Sequence, residues 1–271
     1  MSKKYIVFTD LDGTLLDHRN YSFLQAIPAL DLLKEKNIPL IICTSKTKSE
    51  IEHYRTTLQN NFPFISENGG AIYIPNEFFS SEYKYDNQSN SYKIIKLGTN
   101  HKVLLDAIKE LKNNCNLKIE TYSDMDINRI IQLTNLSPDL AELSTHREYD
   151  EPFIINENQN DYVTLKEEIR KRGLNHTEGS RFHHIMGNND KGKAVELLIN
   201  LFRENTDKRV ISVALGDSLN DYPMLKKVDI PILVKKSNGE YEARIDLENL
   251  VYADEIGPVG WNKIIINLFN N

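Results

Sequence analysis

Twice in this chain a short apolar run stops at a pair of aspartates. Ile6-Val7-Phe8-Thr9 leads into Asp10-Leu11-Asp12-Gly13-Thr14, and residues 210–215 (Val-Ile-Ser-Val-Ala-Leu) lead into Gly216-Asp217-Ser218-Leu219-Asn220-Asp221. Each run has the length and β-branched content of a buried strand. Side chains alternate across a strand, so Asp10 and Asp12 project to one side while Leu11 turns away. Two carboxylates ~4 Å apart at an effective dielectric near 20 repel by about 4 kcal/mol, a large share of a net stability of about 5–15 kcal/mol. A turn after a strand accounts for Asp and Gly at one such place. It does not account for paired carboxylates where two strands stop. Ligands of open α/β sheets bind beyond the carboxyl ends of the strands. A hard cation there would neutralise the acids, while Gly13 lets the backbone turn sharply and Thr14 caps the exit.

Around these two ends the pattern is βαβ. Residues 28–36 suit a helix with proline in its first turn, and residues 38–43 suit the next buried strand. Thr44-Ser45-Lys46-Thr47 follows and leads into a helix, so these hydroxyls either cap the helix or receive an anion at its start. Residues 64–66 and 71–74 flank Glu67-Asn68-Gly69-Gly70 as a hairpin. From about Tyr83 the texture turns polar, with a linker-like stretch at 85–92. A mixed series then follows: strands at 92–97, 117–121, 152–155, 174–177 and 181–186, helices at 102–112, 126–133, 138–144 and 161–172. Regular α/β texture resumes with a helix capped by Asp190, then strands at 210–215, 230–234 and, at an edge, 250–252, and a final helix at 261–269. The expected class is α/β: a Rossmann-like parallel-sheet core with helices on both faces, formed by residues 1–82 and 187–271, and a smaller inserted α+β domain at 83–186.

At 271 residues, 40% hydrophobic and 27% charged, the chain has ordinary globular composition and enough length for two such units. A net charge of −6 disfavours a general nucleic-acid or anionic-membrane partner, and a local basic pocket for a phosphorylated small molecule stays open. No apolar run approaches the ~20 residues of a membrane span. Two cysteines and no leader-like segment before the first strand suit a reducing cytoplasm. Cys43 lies inside an apolar strand, which favours buried packing over a disulfide with Cys115. Lys191, in the first turn of the helix capped by Asp190, carries a charge that opposes the helix dipole, so a task for that charge is worth seeking.

Asp-x-Asp-Gly-Thr after a strand, a hydroxyl after the next strand, a lysine opening a later helix, and Gly-Asp-x-x-Asn-Asp resemble the haloacid-dehalogenase-type phosphohydrolases, in that family's order. The insertion between the second and third parts resembles the α/β cap of one branch. Thr44-Ser-Lys-Thr47, Glu67-Asn-Gly-Gly-Ala-Ile-Tyr73, Ser123-Asp-Met125, Leu136-Ser-Pro138, Arg147-Glu-Tyr-Asp-Glu-Pro-Phe153, Arg181-Phe-His-His184 and Asp190-Lys-Gly-Lys-Ala-Val195 are similar to the mannosyl-3-phosphoglycerate phosphatase group. Leu219 and Ser180 stand where that group carries proline and, commonly, glycine.

The resemblance implies a phosphomonoester hydrolase in which Asp10 becomes an aspartyl-phosphate and Asp12 serves as acid and then base. It implies Mg2+ on Asp10, the main-chain carbonyl of Asp12, Asp217 and, direct or through water, Asp221. Thr44, Ser45, Lys191 and Asn220 would meet the phosphate. Lys46, Glu67 and Asn68 from the core, and Ser180, Arg181 and His183 from the cap, are the candidates for the rest of the substrate. That substrate is expected to be mannosyl-3-phosphoglycerate, with glucosyl-3-phosphoglycerate, another sugar phosphate, or a phosphomutase reaction as alternatives. The cap is expected to close on hinges near 83 and 187. The protein is expected as a monomer or homodimer.

Overall fold

The computed structural model describes residues 2–115, 118–155 and 159–270, without the side chains of residues 114, 115 and 159–161. Leu117, expected to open a strand, and the Cys115 thiol lie outside the described residues. The first part of the chain forms β1 (Lys3–Thr9), α1 (Ile27–Glu35), β2 (Leu40–Cys43), α2 (Lys48–Leu58), β3 (Phe64–Ser66), β4 (Ala71–Pro75), β5 (Asn87–Gln88) and β6 (Tyr92–Lys96). The middle forms α3 (His101–Cys115), β7 (Ile119–Thr121), α4 (Ile127–Thr134), α5 (Pro138–Ser144), β8 (Asp150–Ile155), α6 (Gln159–Lys171), β9 (Asn175–Glu178) and β10 (His183–Met186). The remainder forms α7 (Lys191–Glu204), β11 (Arg209–Gly216), α8 (Tyr222–Leu225), β12 (Ile230–Lys235), β13 (Val251–Ile256) and α9 (Gly257–Phe269).

One sheet runs in the order β13-β12-β11-β1-β2-β3-β4-β6-β5. It is parallel from β13 to β3, where β4 folds back as the expected hairpin. Alternation along β1 decides which helices cover which face. Ile6 and Phe8 join an apolar cluster with Leu198, Phe202 and Met224 of α7 and α8, while Val7 joins the opposite cluster with Leu30, Leu33 and Trp261 of α1 and α9. Both faces are therefore buried, which is what near-continuous apolar strands require. Cys43 is fully buried in this core as a free thiol.

A second, antiparallel sheet, β7-β8-β10-β9, forms the insertion. It has its own core, in which Leu104 and Ile108 of α3 and Leu165 and Ile169 of α6 pack on Ile119, Phe153 and Ile185. By contrast α4 and α5 face the large sheet: Ile130, Leu136 and Ala141 share a cluster with Leu11, Leu15 and Tyr54. These two helices thus roof the carboxyl ends of β1 and β2.

The segment 83–96, expected in the insertion, extends the large sheet instead. β6 pairs antiparallel with β4, and β5 pairs with β6. The polar run at 85–92 holds β5 and the turn into β6, closed by Ser89 N donating to Tyr92 O at 2.8 Å. An outer strand needs only half its surface buried, so its sequence looks like a linker. The chain passes between the two sheets at 97–100 and returns at 187–190. The two crossings touch: a Cβ on Gly187 would lie 2.2 Å from Thr99 Oγ1 and 2.8 Å from Thr99 N. Gly187→Ala is therefore expected to destabilise the protein by roughly 1–3 kcal/mol through overpacking. Urea unfolding reads this directly, and an unshifted midpoint would show that the crossings part without cost.

Candidate active site

Strand register brings the two acidic ends together. Thr9 lies beside Leu215, and the Asp10 amide donates to the Leu215 carbonyl at 3.0 Å. The chain on either side then leaves the sheet at the same level. Carboxylate oxygens of Asp10, Asp217 and Asp221 all lie within 4.8 Å of one another, and all three residues are buried. Gly13 is what permits this approach. Its φ is +79°, and a Cβ there would sit 2.7 Å from Asp217 Oδ2, so a side chain would be both strained and in collision with the acid.

Lys191 enters from the start of α7, where Asp190 caps the helix by accepting from Lys193 N at 2.8 Å. Fully buried, its Nζ donates to Asp10 Oδ1 at 2.7 Å and to Asp221 Oδ1 at 2.6 Å. The other oxygen of Asp221 accepts from the amides of Asp217 (3.0 Å) and Ser218 (3.1 Å). Asp221 thus braces both the acidic loop and the lysine. Burial pushes Asp10 up to about 7, with Asp221 and Asp12 adding to the rise and Lys191 opposing it. Asp217 is raised well above the carboxylate range by burial and then by Asp221 and Asp10. Burial works against the charge of Lys191, yet Asp10 and Asp221 outweigh it and hold the ammonium above its usual range.

The remaining pocket wall starts at the end of β2. Thr47 caps α2 by accepting from Glu50 N at 3.1 Å while Glu50 Oε2 accepts from Thr47 N at 3.0 Å. That box turns Glu50 toward Lys46. Lys46 Nζ lies 3.2 Å from Glu50 Oε1 and 3.1 Å from Asp12 Oδ2. Asp12 Oδ1 is buried without a hydrogen-bond partner, so one oxygen of this carboxyl is left for a ligand. Thr44 is buried beneath, its hydroxyl 3.4 Å from the Lys46 amide. Ser45, Lys46, Asp10, Asp12, Asp217 and Asn220 line one cavity together with Ser180 and Arg181 from the cap.

Three expected substrate contacts lie elsewhere. Glu67 is fully buried and accepts from the amides of Glu148 (2.9 Å), Tyr149 (2.7 Å) and Asp150 (3.0 Å), which pins the start of β8 to the core. Asn68 sits behind the cavity, accepting from Asn220 Nδ2 and donating to Asp150 Oδ2, each at 3.0 Å. His183 points to the far face of β10, where its ring packs against Phe153, Tyr162 and His176. Its neighbour His184 lines the cavity, with Nδ1 2.9 Å from Asp150 Oδ2. Burial opposes the charge of Asp150, but Arg147 and His184 hold it down at about 2. Tyr21, Tyr122, Arg147 and His184 are cavity residues that the sequence reading did not single out. Period-two alternation in β10 was the available signal for His184, had the register been known.

The model of the haloacid dehalogenase-like hydrolases matches residues 7–248. The chain belongs to that family. Among relatives of this haloacid dehalogenase-like hydrolase, a glucosyl-3-phosphoglycerate/mannosyl-3-phosphoglycerate phosphatase of Methanococcoides burtonii is 49% identical over 265 residues, covering 98% of this chain and 97% of its own. A mannosyl-3-phosphoglycerate phosphatase of Pyrococcus furiosus is 36% identical over 229 residues, covering 84% and 90%. A solved haloacid dehalogenase-like hydrolase from Bacteroides thetaiotaomicron has the same fold, with TM-score 0.65 over 98% of this chain and 100% of that one at 17% identity. The chain is a phosphatase of this family. Among the described residues no helix is long and apolar enough to cross a membrane.

Proposed function

We propose that this phosphatase hydrolyses glucosyl-3-phosphoglycerate and mannosyl-3-phosphoglycerate through an aspartyl-phosphate on Asp10, with Mg2+ as cofactor. The observation that carries the mechanism is the buried cluster of Asp10, Asp217 and Asp221 around one lysine. The substrate class is carried by the relatives' activities. The donor set suits a small hard dication: oxygen only, acidic, and in direct contact with a single ammonium. Asp10, Asp217 and the Asp12 carbonyl would hold it, with Asp221 acting directly or through water. Bound Mg2+ supplies charge that lets a phosphate dianion approach these acids.

Asp10 attacks phosphorus as the ester P–O bond breaks, and Asp12 gives its proton to the departing glycerate oxygen. Asp12 then takes a proton from water, whose oxygen attacks phosphorus and releases Asp10 with inorganic phosphate. Lys191 offsets the charge that builds on the transferring group, and Asn220 and Ser45 line the cavity that receives it. Free phosphate release from the two glycosyl-phosphoglycerates, measured beside hexose phosphates with Mg2+ present and then chelated, tests this reading. Preference for a simple hexose phosphate would overturn the substrate assignment, and chelator-resistant turnover would overturn the cofactor.

The acidic cluster also fixes a pH signature. Asp10 is raised in the folded protein, so its contribution is full below its unfolded value near 4 and is lost as pH rises through about 7. The metal-free protein is therefore expected to melt at a lower temperature at pH 8 than at pH 6. Mg2+ should raise the melting temperature more at pH 8, since the ion competes with protons for the same oxygens. Scanning calorimetry in chelator and in Mg2+ checks both; a metal-free melting temperature that rises from pH 6 to pH 8 contradicts the placement of these charges.

A further inference from the structure

The cations that line the cavity differ in one respect. Lys46 is balanced by Asp12 and Glu50, and Asp150 balances both Arg147, at 2.7 Å, and His184. Arg181 has no carboxylate within ion-pair distance among the described residues. Its Nη1 donates instead to the Tyr21 hydroxyl at 2.7 Å, its Nη2 donates to the His18 carbonyl, and the guanidinium lies 5.2 Å from the centre of the Tyr21 ring. Burial, and after it Arg181, push the His18 imidazole below its ordinary value, with Asp12 and Asp17 opposing. A half-buried guanidinium held by neutral acceptors at a cavity wall is a site awaiting an anion.

Tyr21 is the core's side of this contact. It adopts φ +58°, which a bulky residue rarely takes without compensation. The compensation is visible: its hydroxyl donates to the Thr134 carbonyl at the end of α4 at 2.6 Å as it accepts from Arg181, and its ring lies 5.0 Å from Lys46 Nζ. One core side chain thus touches two separate cap segments and the lysine beside Asp12.

We propose that Arg181, aimed by Tyr21, is the docking point for a carboxylate on the leaving group. The inference rests on the phosphatase reading above and extends it to what selects the substrate. In a phosphoglycerate unit the carboxyl carbon is two bonds from the phosphorylated carbon, so one cavity receives both anions. The phosphate meets Lys191 and the acidic cluster from the core, and the carboxylate meets the planar guanidinium from the cap. A hexose phosphate has no second anion and leaves Arg181 unmatched.

The test compares kcat/KM in Mg2+ buffer for 2-O-glucosyl-3-phosphoglycerate and for the same ester with its carboxylate reduced to hydroxymethyl. The wild-type protein is expected to favour the acid by at least thirtyfold. Arg181→Gln should cut that ratio at least tenfold. Tyr21→Phe should cut it in part, mainly through KM, because it only positions the arginine. Equal losses on both esters, or an unchanged ratio in Arg181→Gln, would overturn the inference and leave the phosphatase reading standing. Calorimetric titration with glycerate against glycerol, in inorganic phosphate, gives a readout free of turnover. If wild-type protein binds glycerate through Arg181 but hydrolyses neither ester, the proposed substrate fails and the carboxylate site stands. If glycerate binds no better than glycerol, the site fails.

Discussion

Asp10→Asn is expected to lower kcat by about 10^4-fold or more while leaving the fold intact. An amide has the shape of the carboxyl group but is too weak a nucleophile to attack phosphorus, so no aspartyl-phosphate forms. Folding should not suffer, because the neutral amide removes one of three buried acidic groups that crowd within 4.8 Å. Burial already drives the Asp10 carboxyl up to about 7, which marks its ionised form as the costly one in the absence of metal. Lys191 keeps a partner in Asp221 at 2.6 Å. The melting temperature without metal is thus expected to hold or rise, and the Mg2+-dependent gain to shrink as one ligand is lost. Phosphate release at saturating substrate and a thermal melt make the pair of measurements. Retention of a tenth of the wild-type rate would remove Asp10 from the nucleophile's role.

Much of this site was legible because strand ends are local features. An apolar run followed by Asp-x-Asp-Gly or Gly-Asp-x-x-Asn-Asp fixes where β1 and β11 stop, and parallel pairing of Thr9 with Leu215 does the rest. Lys191 was legible for a similar reason, as a charge opposed to its own helix dipole that finds two carboxylates. What sequence could not supply is which way a cap side chain faces. His183 and His184 differ by one position, and one step in a strand exchanges the cavity for the packing against α6. Glu67 looked like a pocket acid, but its carboxylate is spent on three backbone amides of a segment 81–83 residues later. Tyr21 gave no signal, since nothing local shows that a tyrosine in a polar loop will take a positive φ and reach the cap. The 83–96 segment reads as part of the insertion because an edge hairpin and a linker share the same polar composition, yet β6 pairs with β4, and β5 with β6, in the large sheet.

The second large effect concerns Lys191, whose ammonium is, among the described residues, the one cation hydrogen-bonded to the acidic cluster. Lys191→Met keeps most of the buried stem but deletes the charge between Asp10 and Asp221. Removing one partner of a buried ion pair costs about 3–5 kcal/mol, since the groups left behind are charged, desolvated and unpaired. Here two carboxylates are left rather than one. The loss should therefore depend on pH. Asp10 is already raised by burial and by its acidic neighbours, and without Lys191 the ammonium that opposes that rise is gone. Protonation relieves the repulsion, so the variant is expected to lie close to wild type at pH 5.5 and to fall away as pH rises to 8. Mg2+ should recover part of the stability by supplying the missing positive charge. Activity should not recover, because the ion cannot replace a donor held at a fixed position on the transferring phosphoryl group; a loss of about 10^2- to 10^3-fold in kcat is expected. Urea unfolding at the two pH values, with chelator and with Mg2+, separates charge from packing: a destabilisation that is the same at pH 5.5 and pH 8 would mean that Lys191 supports the core only by filling space.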